Sequence, residues 1–310
     1  MQTHLRHFLS AALLLALTLP APARKTAAPI KAGTYNLMTS DARRKVIQRD
    51  SSISPQRFWC NSAQAVAQMI TELDCDVIGL QEVCDSIWGV KGDRGIQGLT
   101  PPGKYEWILY PNSSKGRIAY DTAIGYKPAR LKCLKSGIFW TGGYPDQPKS
   151  ERKGAARPCT WALFKDLQSG KKFYFLSVHI HYKQHKVFNL QNFFPYADKQ
   201  LIPRKTASIL VGDMNSSSRM KEYAQCLAAS RWTNAYDKLH ANGALPAEEI
   251  IGSMNAKNES SIGKVRLDHI LYEGFIPLSV HTDTRQFPTA DGTLHYPSDH
   301  LPVVCVLKFR

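Results

Sequence analysis

Short apolar runs with the length and residue alternation of β-strands recur along this chain and outnumber its helical segments. Turn-forming residues such as Gln168-Ser169-Gly170 separate neighbouring runs. Many strands with few helices between them favour two β-sheets that pack face to face, with helices outside, in an α/β domain. The predicted strands are residues 31–37, 76–83, 105–110, 122–126, 160–165, 172–181, 208–211, 267–272 and 302–309.

Two segments have the periodicity of helices instead. Apolar residues recur at helical spacing from Val66 to Leu73, and Asn61 offers a capping-box-like start for this helix. Residues 220–229 form the second predicted helix. The segments with neither periodicity, which are predicted to be long loops, are residues 90–103 and 243–263.

The N-terminus has the pattern of a secretory signal peptide. Arg6 precedes an apolar run that ends at Leu19, and small residues follow up to Ala23. The apolar run is too short to span a bilayer core of about 30 Å. We therefore expect a signal peptide in residues 1–23, a short lead-in in residues 24–31, and one secreted or periplasmic domain in residues 32–310.

The chain is strongly basic, with 40 lysine and arginine residues against 25 aspartate and glutamate residues and a formal net charge of +15. Such an excess favours a polyanionic partner, which can be nucleic acid, an anionic membrane surface or acidic glycans. A basic surface that is merely solvated is the alternative. Basic residues near the motifs described below that are candidates for phosphate contact include Lys115, Arg117, Lys183 and Lys186.

Seven cysteines are spaced irregularly and include no Cys-x-x-Cys pair, which makes a zinc-ribbon site a poor interpretation. An oxidising compartment permits disulfides, but an odd number leaves at least one thiol unpaired. We expect several cysteines to fill the core. Spacing alone does not give their pairing.

Four short motifs place carboxylates or a histidine at the end of apolar, strand-like runs. Carboxylates collected in one pocket repel one another unless a divalent cation binds there, and a histidine beside that cation can move a proton. Each motif alone is consistent with an ordinary turn or a solvated strand end. Together they indicate metal-assisted attack on a phosphate ester. The motifs are Gln81-Glu82-Val83, Gly212-Asp213-Met214-Asn215, Arg266-Leu267-Asp268-His269-Ile270 and Ser298-Asp299-His300.

The sequence context predicts a function for some of the histidines and not for others. We pair Asp268 with His300, because an aspartate that hydrogen-bonds an imidazole fixes its tautomer and raises its basicity. His179 and His181 share one face of a predicted strand, and a zinc site formed by this pair is the competing interpretation. That site lacks matching ligands elsewhere in the sequence. The histidines expected to be ordinary surface or loop residues are His269, His281 and His295.

These motifs, in this order, resemble the endonuclease/exonuclease/phosphatase superfamily, the group of DNase I and the exonuclease III-type repair enzymes. The resemblance covers Ala32 to Phe309 and includes Tyr35-Asn36-Leu37. It implies a four-layer α/β/β/α sandwich of two packed, mainly antiparallel sheets. It also implies a phosphoesterase that depends on Mg²⁺, with Mn²⁺ or Ca²⁺ as alternatives. Phe139-Trp140 and residues 157–161 resemble a secreted bacterial branch of the superfamily.

The resemblance further implies a role for each motif residue. Glu82 would be the main metal ligand, with Asn36 and Asp299 beside it. Asp213 and Asn215 would orient or deprotonate the attacking water and hold the phosphate. His300, supported by Asp268, would stabilise the charge of the scissile phosphate. His179 would be a proton donor or a phosphate ligand, and Asp121 would support it. Arg157 would contact the phosphate.

Two positions depart from the superfamily pattern. Val178 stands where a threonine often precedes the middle histidine. Met38 stands where exonuclease III-like members carry an aspartate, which argues against a second metal ligand at that position and against a repair enzyme.

The leading hypothesis is a secreted, monomeric nuclease that cuts DNA, or RNA, with little sequence preference, because lysine and arginine contacts to phosphates supply affinity. The alternative is a lipid phosphoesterase, either sphingomyelinase-like or an inositol-phosphate phosphatase. Residues 264–269 lack the Pro-x-Trp-Cys-Asp-Arg pattern of the phosphatase branch. The segment Phe193-Phe194-Pro195-Tyr196 fits either an exposed, lipid-binding loop or the core. A non-enzymatic binding module is disfavoured, because every main catalytic position is occupied.

Overall fold

The computed structural model of this chain describes residues 28–38, 62–84, 95–114, 117–142, 157–245, 252–254, 263–288, 292 and 294–310. The predicted signal peptide, Asn61, Lys115, the side chain of Arg117, residues 90–94 and most of the loop predicted at residues 243–263 lie outside this described part. The prediction of a loop over residues 90–103 is wrong for Ile96–Leu99, which form a short helix. No helix within it has the length and apolar character needed to cross a membrane.

Strands dominate the structure, as the apolar runs predict. In chain order they are β1 (Ile30–Asn36), β2 (Val77–Cys84), β3 (Glu106–Leu109), β4 (Asn112–Ser114), β5 (Arg117–Tyr126), β6 (Leu131–Trp140), β7 (Pro158–Asp166), β8 (Lys172–His179), β9 (Ala207–Asp213), β10 (Thr233–Asn234), β11 (Asp268–Glu273), β12 (Phe275–Thr282), β13 (Phe287–Pro288), β14 (Leu294–His295) and β15 (Val303–Phe309). The helices are α1 (Ser62–Leu73), α2 (Ile96–Leu99), α3 (Lys186–Tyr196), α4 (Lys221–Ala228) and α5 (Ala235–Ala241), and a π-helical turn (Ala197–Leu201) follows α3.

The strands form two large sheets. The first has the order β12-β15-β1-β2-β5-β3, with β4 also paired to β5, and the second has the order β10-β11-β9-β8-β7-β6. β1 pairs with β2 and β8 pairs with β9 in parallel. The other described pairs are antiparallel. The prediction of mainly antiparallel sheets is confirmed.

Three apolar clusters show how the layers stack. Side chains of both sheets, among them Val77 and Phe175, meet in a central cluster. Ile70 of α1 packs in a cluster on the outer face of the first sheet. Phe193 of α3 and Tyr223 of α4 pack in another on the outer face of the second sheet. The predicted four-layer α/β/β/α sandwich is therefore confirmed.

The sequence pattern does not predict β6 and β12, which lie at opposite edges of the two sheets. β6 exposes Lys132 and Lys135, and Gly137 interrupts its alternation. β12 contains Pro277 and leaves Leu278 48% exposed. An edge strand needs fewer apolar residues and often carries lysine or proline, so its pattern is weak.

α3 decides between the two interpretations of the aromatic segment that starts at Phe193. Pro195 lies inside this helix, where proline removes a backbone hydrogen bond, so the sequence does not read as helical. Phe193 and Phe194 are 0% and 2% exposed and belong to the outer cluster of the second sheet. The segment is part of the core, and the interpretation as an exposed, lipid-binding loop is wrong.

Several cysteines fill the core, as expected. Cys75, Cys159 and Cys305 are buried free thiols. Burial raises the pKa of the Cys75 thiol to about 12, which leaves it protonated and unreactive near neutral pH.

Candidate active site

The two parallel strand pairs bring the motif residues to one end of the sandwich. In the second sheet, the register of β8 with β9 places His179 beside Asp213, and the register of β9 with β11 places Asp268 on the other side of Asp213. In the first sheet, β1 and β2 run in parallel up to Asn36, just ahead of Glu82. Both sheets therefore present polar side chains at the same end.

Gly212 allows β8 and β9 to approach closely just before Asp213. Its φ is +145°, and a Cβ atom at this position would lie 1.9 Å from the carbonyl oxygen of Val178. Glycine is the one residue without a Cβ, so it alone fits this backbone contact. The glycine of the motif thus sets the position of the aspartate that follows it.

Asp268 and His300 form a buried hydrogen-bonded pair, with His300 Nδ1 2.7 Å from Asp268 Oδ2. The backbone N–H of Asp268 donates to Ser253 Oγ at 2.9 Å, and that of His300 donates to Ser298 Oγ at 3.1 Å. Burial lowers the pKa of His300, but the charges of Asp268 and Asp213 outweigh it and hold this pKa well above its usual value. The pair therefore presents an imidazolium whose Nε2 lies 3.8 Å from Asp213 Oδ2.

Asp213 lies buried at the centre of the site. Its Oδ1 accepts a hydrogen bond from the backbone N–H of Asn215 at 2.7 Å, and its Oδ2 accepts one from Asn36 Nδ2 at 3.1 Å. Burial raises the pKa of Asp213, and the charge of Asp268 adds to this effect while that of His300 opposes it. A carboxylate with a raised pKa is a better proton acceptor, which suits Asp213 to act as a general base.

His179 is held by a carboxylate and a guanidinium together. Its Nδ1 lies 2.9 Å from Asp121 Oδ1 and 2.9 Å from Arg157 Nη1, and Arg157 Nη1 also donates to Asp121 Oδ2 at 3.2 Å. Burial raises the pKa of Asp121, but the charges of Arg157 and His179 hold it well below its usual range. His179 Nε2 lies 3.6 Å from Asp213 Oδ2. Asp121 and Arg157 thus orient His179 toward Asp213.

The zinc interpretation of His179 and His181 finds no support in this geometry. Nδ1 of His179 is already engaged by Asp121 and Arg157, and His181 lies beyond the end of β8. Within the described residues, the cluster of three possible metal ligands that the structure contains does not include either histidine.

Glu82, Asn36 and Asp299 offer the oxygen atoms that a hard divalent cation prefers. Asn36 Nδ2 lies 3.4 Å from Glu82 Oε1. Ser298 donates its hydroxyl to the carbonyl oxygen of Asn36 at 2.7 Å, which brings the neighbouring Asp299 close to the end of β1. The side chain of Glu82 is 22% exposed, so water can complete the coordination of a cation there. The donor set of these three residues therefore fits a hard divalent cation.

A second set of possible ligand atoms, from Asp213, Asp268 and His300, lies within 4.8 Å of one another. Oδ1 of Asp268 is buried and has no hydrogen-bond partner among the described residues. The 2.7 Å contact between Asp268 and His300 requires a proton between them, which a shared cation would displace. A cation bound by Asp268 and His300 together would therefore have to displace this proton, which the oxygen atoms around Glu82 do not require.

Four non-glycine residues near the site adopt the left-handed backbone conformation. The φ angles are +56° at Met38, +57° at Glu82, +56° at Asp121 and +47° at Asn215. Glu82 and Asp121 also lie where the register between β2 and β5 shifts. Each such conformation costs about 1–3 kcal/mol and persists only where the surroundings enforce it. The fold therefore holds these side chains in place against local strain.

His269 corrects the expectation of an ordinary surface or loop residue. It is 1% exposed on β11, its Nε2 donates to the carbonyl oxygen of Ser216 at 2.8 Å, and its Nδ1 lies 2.9 Å from Asn234 Nδ2. Burial lowers its pKa to about 4, so the ring is neutral. Strand alternation places it on the same face as buried Leu271, a signal that was available in the sequence. The other two histidines of that expectation, His281 on β12 and His295 on β14, are half-buried.

Ser177, Gln81 and Thr34 form a buried polar bridge between the two sheets that motif reasoning does not find. Gln81 Nε2 donates to Ser177 Oγ at 3.1 Å, and Thr34 Oγ1 donates to Gln81 Oε1 at 3.1 Å. The bridge includes Gln81, the residue that directly precedes Glu82 on β2. The alternation of side chains along a β-strand places these polar residues on the inward face of each sheet, and this was the signal in the sequence that could have revealed the bridge.

Residues 33–300 match the model of the endonuclease/exonuclease/phosphatase family. No curated protein matches the sequence significantly. Similar solved structures include a mannosyl-6-phosphatase of Bacteroides thetaiotaomicron, with 21% identity, a TM-score of 0.68 and coverage of 90% of this chain and 100% of that chain.

An endonuclease/exonuclease/phosphatase family protein of the same organism has 20% identity, a TM-score of 0.71 and coverage of 91% and 95% of the two chains. D. rerio TDP2, complexed with a single-strand DNA product, has 17% identity, a TM-score of 0.60 and coverage of 91% and 99%. At these identities the likeness concerns the fold. The family match extends over most of the chain and over every motif described above, and this chain belongs to the endonuclease/exonuclease/phosphatase family, a superfamily of phosphoester hydrolases.

Proposed function

We propose that this protein is a secreted, divalent-metal-dependent phosphodiesterase that hydrolyses DNA, or RNA, with little sequence preference, and that it acts as a monomer. One observation carries the proposal: a base, an imidazolium and a set of oxygen ligands converge at one end of the sandwich, around Asp213, His300 and Glu82. This is the combination that hydrolysis of a phosphate ester requires.

The chain's own residues divide the chemistry among them. Asp213 accepts the proton of the attacking water, and Asn215, whose backbone N–H binds Asp213, orients that water. The imidazolium of His300 stabilises the charge that develops on the phosphate oxygens, while Asp268 holds its ring in place. Glu82, Asn36 and Asp299 would hold a Mg²⁺ ion, which would supply Lewis-acid charge at the phosphate.

His179 and Arg157, on the other side of Asp213, contribute positive charge and hydrogen bonds to the phosphate. Burial lowers the pKa of Arg157, but the charges of Asp121 and Glu82 outweigh this effect and raise it, so the guanidinium is permanently charged. This positive charge and the ring of His179 favour an anionic phosphate close to Asp213. His179 donates a proton or a hydrogen bond to the phosphate or to the leaving oxygen.

The net charge of +15 supports nucleic acid as the substrate, because lysine and arginine contacts to phosphates give sequence-independent affinity. The lipid alternative loses its main argument, since Phe193 and Phe194 are buried. The secreted location rests on the signal-peptide pattern of residues 1–23.

The test is cleavage of supercoiled plasmid by the mature protein with Mg²⁺, with EDTA, and in the variants His300→Ala and His240→Ala. His240 lies exposed on α5 and serves as the matched control. We expect nicking that EDTA and His300→Ala abolish and that His240→Ala leaves unchanged. Parallel assays use sphingomyelin vesicles and mannose 6-phosphate.

Cleavage of either parallel substrate without any nicking of the plasmid would overturn the nuclease assignment while preserving phosphoester hydrolysis. Activity that persists in EDTA would overturn the metal dependence. Nicking in the His300→Ala variant at the wild-type rate would overturn the assignment of the site itself.

A further inference from the structure

The five residues that follow Ile180, from His181 to His185, place aromatic and basic side chains directly beyond the end of β8. We call them the aromatic segment. Tyr182 is 52% exposed, which is unusual for a large aromatic side chain, and Lys183 and Gln184 are exposed as well. The segment takes no part in the chemistry described above.

Rings of the aromatic segment stack on one another. His181 and Tyr182 are nearly parallel, with ring centroids 5.2 Å apart and an interplanar angle of 15°. His185 meets His181 edge-on at 5.3 Å. Lys183 Nζ lies 5.0 Å from the centroid of the Tyr182 ring. The result is an ordered, partly exposed array of rings with a cation attached.

Hydrogen bonds of Ile180, the residue before the aromatic segment, connect this array to Asp213 and Asn215. The backbone N–H of Ile180 donates to the carbonyl oxygen of Asp213 at 2.9 Å, and Asn215 Nδ2 donates to the carbonyl oxygen of Ile180 at 2.8 Å. The backbone N–H of His181 donates to Asn189 Oδ1 at 3.3 Å. The aromatic segment therefore begins at a fixed position beside Asp213 and Asn215.

The pKa of His181 also reflects how close the aromatic segment lies to the charged residues of the site. Burial lowers the pKa of His181, and the positive charges of Arg157 and His179 lower it further. The ring of His181 is thus neutral at physiological pH and supports Tyr182 without adding charge. Lys183 carries the positive charge of the segment on a flexible stem that can leave the ring and reach a phosphate.

We propose that Tyr182, backed by His181, stacks against a nucleobase next to the scissile phosphate, and that Lys183 binds the adjacent phosphate. Alternating aromatic and basic groups are how proteins bind single-stranded nucleic acid without reading its sequence. This inference rests on the proposed nuclease function and specifies the substrate as a strand with accessible, unpaired bases.

The test compares two single-stranded oligonucleotides of equal length, one with normal bases and one with abasic residues throughout. Stacking is worth about 1–3 kcal/mol per base, so we expect wild-type protein to cleave the normal strand with a kcat/KM roughly tenfold higher than the abasic strand. Tyr182→Ala should cleave the normal strand as slowly as wild type cleaves the abasic one, with the abasic rate unchanged. Tyr182→Phe should retain the preference.

Phe188→Ala is the matched control, because Phe188 is also an exposed aromatic residue, at 41%. A Tyr182→Ala variant that keeps the preference for bases, or that loses activity equally on both strands, would overturn the inference. An equal loss of the preference in Phe188→Ala would do the same. Failure of the proposed function is a distinct result, in which wild-type protein cleaves neither strand.

Discussion

The contact between Asp268 and His300 links residues that are far apart in the chain, and the function of each depends on the other. Asp268 is fully buried, and its position is fixed by the backbone bond to Ser253. Its carboxylate accepts the Nδ1 proton of His300 and stabilises the imidazolium, whose second proton on Nε2 faces outward. The pairing follows from triad logic applied to the sequence, whereas its 2.7 Å distance is a result of the fold.

Asp268→Asn should lower kcat by about 10²–10⁴-fold with little change in KM, because the amide preserves the shape but no longer stabilises the imidazolium. The measurement is steady-state hydrolysis of an oligonucleotide with Mg²⁺ in excess. Asp237→Asn, a half-buried aspartate of α5, is the control and should keep wild-type kcat. A normal kcat in Asp268→Asn would show that His300 needs no partner.

His269→Gln tests a buried histidine that binds the loop after Asn215. The folded pKa of about 4 lies below the ordinary value of 6.5, so the unfolded chain takes up a proton in that window before the folded one does. Stability from neutral His269 is complete above pH 6.5 and falls by about 3 kcal/mol as the pH drops toward 4. Glutamine can make both hydrogen bonds and does not titrate.

Urea unfolding of wild type and His269→Gln between pH 7 and pH 4 measures this effect. We expect the wild-type free energy of unfolding to fall faster with decreasing pH than that of the variant. Exposed His240→Gln should follow wild type throughout. Parallel curves for wild type and His269→Gln would contradict the prediction.

Two parallel strand pairs position the site. The register of β8 with β9 places His179 beside Asp213, and that of β1 with β2 brings Asn36 close to Glu82. Strands with strong apolar alternation were predictable from the sequence, and so were the polar residues at their ends. The edge strands β6 and β12 were not predictable, because exposed lysines in β6 and Pro277 in β12 interrupt the alternation of apolar and polar residues. Helix α3 was missed since Pro195 lies within it.

Gly212→Ala should destabilise the protein by about 3 kcal/mol or more and abolish activity, because the added Cβ meets the Val178 carbonyl oxygen at 1.9 Å. Gly170→Ala is the control. Gly170 also has a positive φ, +74°, but a Cβ atom there would meet no atom within 4 Å, so a loss of about 1–2 kcal/mol is expected. Urea unfolding of both variants checks the difference, and equal losses would refute the role of the close contact.

At the scale of the whole molecule, the site exists only where the two sheets meet. Chain order indicates which residues belong to it, but no sequence spacing gives the contact between Asn36 of one sheet and Asp213 of the other. The same holds for Arg157, which directly precedes β7 of the second sheet and donates to Asp121 of the first sheet. These contacts depend on how the sheets pack, which local patterns do not encode.

Gln81→Leu should weaken both stability and function, because it removes the polar bridge from Gln81 to Ser177 and Thr34. The buried hydroxyl of Thr34 loses its acceptor, which costs about 1–3 kcal/mol, whereas Ser177 Oγ still donates to the carbonyl oxygen of Leu80. Because Glu82 follows directly, we also expect a higher Mg²⁺ concentration for half-maximal activity. Exposed Gln68→Leu on α1 is the control, and a Gln81→Leu variant with normal stability and metal requirement would refute the prediction.

The left-handed conformations of Met38, Glu82, Asp121 and Asn215 have a consequence for how this sequence can evolve. Glycine adopts a positive φ at little cost, so glycine at these positions would relieve strain. At Glu82 and Asp121 the same change would delete the carboxylates that function needs. A laboratory selection for heat resistance alone should therefore drift toward inactive enzymes, and retaining activity requires that thermostabilising mutations be sought away from Glu82 and Asp121.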